Sequence, residues 1–381
     1  MEKLFALIEE LSPAYVQFWK EICEIETPSH DKAAVDELVD KLETHAKALG
    51  CSVYRESFEK AGDCLRVDLA GDETRQPIVM MAHMDTVHEK GAFGPEPVTL
   101  KDGILYGPGV NDCKNGITMS MMLLEAFRKS GYPHPPIRVI YTSDEEISAR
   151  LSGKQGVEFF EKQAAGAKAV LNCESGSDGK IVVGRKGIGN LKLEITGKAA
   201  HAGVCYYDGA SAVREAAHKI LAIEALSEPD GNTFNCGIVR GGTKTNIVPE
   251  RCVIEVDIRS MEEKRMEDAI EQVRKIAEHS YVAGTTCVLS IGSVRPPMEA
   301  TEANYGLLAR INELAAELGM KPMVGAVSGG GSDAAYTTRM GIPTVCSIGP
   351  CGWDVHTSRE RSDISTLPVR AKLVAKCICE L

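Results

Sequence analysis

Aromatic side chains are scarce in this chain, at 5% of its 381 residues, and so is positive charge: Lys and Arg total 43 against 54 Asp and Glu, a formal net charge of -11. A nucleic-acid groove wants a basic face and stacking rings, so the composition argues against nucleic acid as a partner. No apolar run approaches the roughly 18 residues that a membrane span needs, which argues against a membrane as well. The short run at residues 4–8 meets Glu9 and Glu10 at once, and reads as a helix, not a signal peptide. The 13 cysteines are odd in number and no two are spaced as C-x-x-C. Neither a full disulfide framework nor a thiolate zinc site is indicated, and reduced thiols in a cytoplasm fit best.

Apolar material is ample, 44% of residues with 25% charged, enough for a globular chain of two domains. Helical spacing covers residues 3–49 with a break at 27–30, and a strand follows at 51–56. Further strands are expected at 64–69, 78–81, 137–141 and 169–172, with a hairpin at 98–106 and an amphipathic helix at 117–128. Apolar runs that alternate with helices and end in polar residues describe an open α/β sheet, whose ligand crevice lies off the carboxyl ends of its strands. Beyond Gly187 the rhythm changes to strand 188–196, helix 211–225, strands 232–239 and 251–258, helix 264–279 and strand 286–291. That order is βαββαβ, the ferredoxin-like unit. After Pro297 the first rhythm resumes, with a helix at 304–318, a Gly-rich turn at 328–333, a strand at 344–348 and a closing helix from Leu367. The expected fold class is therefore α/β: an open mixed-sheet domain built from residues 1–187 and 298–381, with an inserted ferredoxin-like α+β domain at 188–297.

The run at residues 77–82 delivers His83 and Asp85 to one place. Residues two apart on extended chain face the same way, so Asp85 could accept a hydrogen bond from the His83 ring and fix its tautomer. A histidine oriented by a carboxylate is the usual arrangement of a metal ligand and its support; a surface histidine beside an N-capping aspartate reads the same. Acids and imidazole also collect at Asp112, Glu145 with Glu146, Glu174 and His356. Two histidines and several carboxylates without thiolate suit Zn²⁺ and tolerate Co²⁺ or Mn²⁺. A pair of such ions, about 3.5 to 4 Å apart, needs a bridging carboxylate and a further ligand each. Glu145 and Glu146 cannot share one side of extended chain, so one could ligate while the other moves a proton; a solvated acidic helix start is the alternative.

The segments His83-Met-Asp85-Thr-Val, Tyr106-Gly-Pro-Gly-Val-Asn-Asp112, Thr142-Ser-Asp-Glu145-Glu146, Asn172-Cys-Glu174-Ser-Gly, Gly197-Lys-Ala-Ala-His201-Ala-Gly and Ser328-Gly-Gly-Gly-Ser-Asp333-Ala-Ala occur in that order. Together they resemble the zinc-dependent exopeptidase family of glutamate carboxypeptidase, peptidase T, aminoacylase, acetylornithine deacetylase and succinyl-diaminopimelate desuccinylase, and the wording is closest to glutamate carboxypeptidase. The resemblance implies two Zn²⁺ per chain. His83 and Glu174 would hold one, Glu146 and His356 the other, with Asp112 as bridge, Glu145 as general base and Asp85 as the partner of His83. It also implies a non-proline cis peptide between Asp112 and Cys113, and a homodimer in which the inserted domain serves as dimerisation lid. Two departures stand out: Cys113 follows the bridging aspartate, and residues 147–153 lack the usual Gly-Ser wording.

In the inserted domain the candidates for substrate contact are His201, Asn246 and Arg259. His201 lies between small residues and could be a helix-start histidine; the resemblance makes it the group that stabilises the tetrahedral oxyanion. Asn246 could be a plain turn residue. Arg259 has a planar fork suited to a bidentate grip on a carboxylate, as the resemblance implies, or to an ion pair with Glu262 or Glu263. Gly330, with Gly329 and Gly331, could cradle substrate backbone or merely turn the chain.

The expected activity is a dinuclear zinc hydrolase that cleaves a peptide or N-acyl amide bond next to a free C-terminal carboxylate. Within the resemblance the rivals are a di- or tripeptide aminopeptidase and an N-acyl-amino-acid deacylase. Aminopeptidase relatives tend to carry aspartate where this chain has Glu174, which favours the carboxypeptidase and deacylase readings. A cysteine hydrolase using Cys113 and a non-enzymatic metal-binding protein are the remaining alternatives.

Overall fold

Strand Ile78–His83 is buried along its whole length because it lies inside a six-stranded sheet. The chain, described over residues 1–381 by a computed structural model, orders that sheet as Ser52–Glu56, Cys64–Leu69, Ile137–Thr142, Ile78–His83, Ala169–Asn172 and Thr344–Val345. The first two pairings are antiparallel and the other three parallel, so the sheet is mixed. Parallel strands run a continuous apolar stretch, since helices cover both faces. His83, Thr142 and Asn172 end three adjacent strands that all point one way, and the candidate residues follow directly after them. The sheet belongs to a unit made of Met1–Val183, Ala300–Val327 and Ser332–Leu381.

Helix Lys114–Ser130 departs from the amphipathic expectation: it is buried nearly all round, from Lys114 to Leu124 without interruption. Its polar residues are satisfied from within. Lys114 donates to the carbonyl of Ile25 at 2.7 Å, just past the end of helix Glu2–Glu24, where a cation also meets the negative end of the helix dipole. Asn115 donates to the carbonyl of Pro350 at 3.0 Å, and Ser120 pairs with the hydroxyl of Tyr141 at 2.8 Å. Trp19, Leu42, Phe127 and Leu373 are among the side chains that close this core. Several elements were not expected, among them strand Val324–Ser328 and helix Ala334–Arg339. Helix Gly153–Ala164, another, opens on Gly153 and contains Gly156, both poor helix residues, and strand Lys180–Arg185, a further one, follows a stretch of turn residues.

The second unit comprises Gly184–Glu299 and Ser328–Gly331. Its sheet is antiparallel throughout, in the order Thr233–Gly241, Arg251–Ser260, Gly187–Thr196 and Thr286–Arg295. Burial alternates along Gly187–Thr196 and Arg251–Ser260, as a sheet with one covered face requires. Leu193, Ile195, Ile254 and Ile258 meet Ala216 and Ile223 of helix Ala212–Glu224 and Met266 and Val273 of helix Glu263–Glu278. The four glycine-turn residues group here and not with the larger unit. Lys186 N–H donates to the carbonyl of Ser328 at 3.0 Å, and Arg185 donates to that of Gly331 at 3.1 Å.

Candidate metal centre

The ring of His83 is held from both sides by oxygen. Nδ1 lies 3.0 Å from the main-chain carbonyl of Asp85, which can only accept, so Nδ1 carries hydrogen and Nε2 is the nitrogen turned to the site. The carboxylate of Asp85 is farther, at 3.4 Å. Its oxygens serve other groups: Oδ1 accepts the main-chain N–H of Glu145 at 3.1 Å, and Oδ2 accepts that of Glu146 at 3.1 Å and the Ser29 hydroxyl at 2.6 Å. Asp85 therefore braces the Glu145–Glu146 pair at least as much as it braces His83. That work is not visible from the spacing of two residues along a strand.

Asp112 faces both histidines. Its Oδ1 lies 3.0 Å from His83 Nε2 and its Oδ2 lies 3.2 Å from His356 Nε2, while Glu146 Oε2 is 3.2 Å from the same His356 nitrogen. The Asp112–Cys113 peptide is cis, as the resemblance implied. Burial raises the pKa of Asp112, but the two imidazoles outweigh it and hold the carboxyl far below its usual range. Burial, followed by the charge of Asp112, pushes Glu146 up to about 7. Hydrogen bonding to Asp112 and Glu146 pushes half-exposed His356 up to about 10. Burial works against a charged His83, yet hydrogen bonding to Asp112 and Asp85 and the charge of Asp112 hold it well above its ordinary value.

The donor chemistry fits divalent cations. A carboxylate oxygen facing an imidazole nitrogen needs positive charge between them, supplied either by a proton or by a metal ion. Glu146 Oε1 is also buried with no hydrogen-bond partner. Two groups have ligand atoms within 4.8 Å of one another, namely His83 with Asp112 and Cys113, and Asp112 with Glu146 and His356. Asp112 belongs to both. Glu174 stands outside them: its Oε1 accepts from Ser332 Oγ at 2.5 Å and from Asn172 Nδ2 at 3.3 Å, although Glu174 lines one cavity with His83 and Glu145. Cys113 is fully buried, and burial pushes its thiol pKa well above the ordinary value, the opposite of what a nucleophile requires.

Sequence reasoning passed over Glu360, and it named Asp333 in the glycine-rich segment without giving it a role. Glu360 sits in Ser358-Arg-Glu-Arg-Ser362, which reads as a solvated charge run, yet it is 1% exposed and accepts the N–H of Asp112 at 3.0 Å. Asp333 accepts from Thr142 Oγ1 at 2.8 Å beside the Glu145 cavity.

His201, Asn246, Arg259 and Gly330 all belong to the second unit. His201 is exposed, and its Nδ1 accepts the amides of Gly203 at 3.1 Å and Val204 at 3.2 Å. The hydrogen of the neutral ring is therefore on Nε2, which is left as a donor. Asn246 offers its carbonyl to Ala202 N–H at 3.0 Å. Arg259 is paired with neither Glu262 nor Glu263: Nε and Nη2 grip Asp257 at 2.7 and 3.0 Å. Residues two apart on a strand share a face, so one edge of the guanidinium fork is already engaged. Gly330 N–H donates to Ser328 Oγ at 3.3 Å.

Imidazole and carboxylate groups gathered past the carboxyl ends of three parallel strands make a site suited to divalent metal ions in a mixed α/β fold. Residues 79–380 match Peptidase family M20/M25/M40, and the chain belongs to that family of hydrolytic, metal-dependent enzymes. It is 28% identical over 385 residues to carboxypeptidase G2 of Pseudomonas sp. (strain RS-16), covering 99% of this chain and 92% of that one. Its fold is similar to a tripeptidase from Staphylococcus aureus subsp. aureus Mu50, with a TM-score of 0.80, 24% identity and coverage of 96% and 97%. It is also similar to an M20 family metallo-carboxypeptidase from Sulfolobus solfataricus, with a TM-score of 0.79, 16% identity and coverage of 96% and 98%. No helix is long and apolar enough to cross a membrane.

Proposed function

We propose that this chain is a dinuclear zinc hydrolase, glutamate carboxypeptidase-like, that cleaves a peptide or N-acyl amide bond adjacent to a free C-terminal carboxylate. The observation that carries the reading is Asp112, whose two oxygens face two different histidines at 3.0 and 3.2 Å. In this reading His83 and Glu174 would hold one ion, Glu146 and His356 the other, and Asp112 both. When bound, the ions polarise the scissile carbonyl and make water acidic enough to lose a proton near neutral pH.

The remaining steps fall to the chain itself. Glu145, with its backbone fixed by Asp85, takes the proton of the attacking water and returns it to the leaving nitrogen. His201 donates from Nε2 to the oxyanion, and Asn246 and Gly330 contact the substrate. Arg259, held by Asp257 along one edge, offers the other edge of its fork to the substrate carboxylate. The second unit, read as a ferredoxin-like domain spanning 188–297, serves as dimerisation lid to the catalytic segments 1–187 and 298–381.

The test is a screen of N-acyl amino acids and dipeptides ending in Glu, Asp, Ala, Leu or Arg, each with the C-terminal carboxylate free or amidated, on zinc- and cobalt-loaded protein. Cleavage should tolerate a blocked N-terminus and fail on the amides. Dependence on a free α-amino group would replace this reading with an aminopeptidase.

A further inference from the structure

Three loops of the larger unit converge on one buried carboxylate. Glu360 Oε1 accepts the main-chain N–H groups of Asn111 at 2.8 Å and Asp112 at 3.0 Å. Its Oε2 accepts that of Gly109 at 3.4 Å and lies 2.8 Å from His88 Nε2, which must be the donor because a carboxylate only accepts. The Glu360 carbonyl accepts the N–H of Gly107 at 3.2 Å. His88 follows His83 along the chain, the amides lead directly into Asp112, and Glu360 follows His356. Each loop that supplies an imidazole or the shared aspartate is thus tied to the same side chain.

The local chemistry suits that task. A carboxylate at 1% exposure is costly unless its oxygens are filled, and here both are, by amides and an imidazole. The amides can converge because Gly109 adopts a φ of 71°, and a Cβ there would meet Thr86 Cγ2 at 2.7 Å. None of these contacts reaches the Asp112 carboxylate, whose oxygens stay turned to His83 and His356.

We propose that Glu360, with His88 behind it, is a positioning residue that fixes Asp112 and His356 in one geometry and so sets the affinity of the centre for its divalent ions. The proposal rests on the reading of Asp112, Glu146 and His356 as ligands. Supporting groups behind metal ligands commonly change affinity by roughly 10- to 100-fold when removed. A purely structural tie would lower thermal stability and leave the ions' surroundings as they were.

Full-length Glu360→Gln and His88→Asn variants test it, with metal content after dialysis, zinc affinity by chelator competition, and the visible absorption of the cobalt-loaded protein as readouts. Glu360→Gln should weaken binding of the more loosely held ion by roughly 10- to 100-fold and alter the cobalt bands, with His88→Asn moving both in the same direction by less. If Glu360→Gln does not fold, His88→Asn decides on the same readouts. Variants that fold and keep wild-type affinity and cobalt bands, whatever their melting temperature, overturn the assignment alone. A wild-type chain that takes up no divalent ion overturns the ligand reading and this assignment with it.

Discussion

Asp85 accepts the backbone N–H of Glu145 at 3.1 Å, so the residue that looked like a partner of His83 also fixes the entry of the proposed base into the site. Asp85→Asn keeps the shape but turns an NH₂ group toward a donor that needs an acceptor, either Glu145 N–H, Glu146 N–H or the Ser29 hydroxyl. Turnover should fall roughly 10- to 100-fold, with a smaller change in KM. Steady-state kinetics decide this, and an unchanged turnover would show that the loop holds its shape without the charge.

Glu145→Gln separates proton transfer from metal holding. If Glu145 moves protons, the variant keeps its metal content and substrate binding while turnover drops by roughly 10² or more. Metal analysis beside kinetics distinguishes this from a ligand role, in which the ion content would drop as well. Asp112→Asn is the counterpart: a group shared by both donor sets should lower occupancy at both positions.

Much of this centre was legible in the sequence because it breaks the apolar rule at the ends of apolar runs. His83, Asp112, Glu145 and Glu146 are all polar residues delivered just where a strand or loop leaves the core. What stayed hidden depends on contacts between distant segments. Glu360 lies between two arginines and looks solvated, and only the folded chain brings it to the amides of Asn111 and Asp112. The helix expected at 117–128 looked amphipathic, with Ser120 among its polar residues; the structure starts it at Lys114, and the partners that let Lys114, Asn115 and Ser120 be buried, at Ile25, Pro350 and Tyr141, are remote in sequence. Arg259 was matched to acids that follow it, whereas strand periodicity favours Asp257 on the same face.

The metal-free protein should weaken with rising pH. His356 has its pKa raised from 6.5 to about 10 by Asp112 and Glu146. A group raised on folding lends stability that is complete below the unfolded pKa and is lost as pH rises through the folded one. The window therefore runs from about 6.5 to about 10, and the effect is modest because the ring is half exposed and screened by solvent. Melting temperatures of chelator-treated protein should decline across that window, less so in His356→Gln. Zinc uptake near pH 7 should also release protons, since a ligating imidazole nitrogen must be bare. Calorimetry in buffers of different ionisation enthalpy measures this, and uptake without proton release would contradict a charged His356 in the metal-free state.

The last prediction concerns a second copy of the chain. Strand Thr233–Gly241 is an edge of its sheet and carries Ile238 and Val239 at 38% and 48% exposure, a surface that invites pairing. His201 keeps Nε2–H as a donor, and the residues after it include Tyr207 at 96% exposure. In a homodimer His201 would serve the metals of the partner subunit. Glu145→Gln and His201→Ala chains, each inactive alone, then complement on mixing. Random exchange makes half the dimers mixed, and each mixed dimer has one site with both residues intact, so about a quarter of wild-type activity should return. Activity assays after subunit exchange, verified by differently tagged chains, provide the measurement. No recovery in verified mixed dimers would mean that His201 acts on its own chain or takes no part in catalysis.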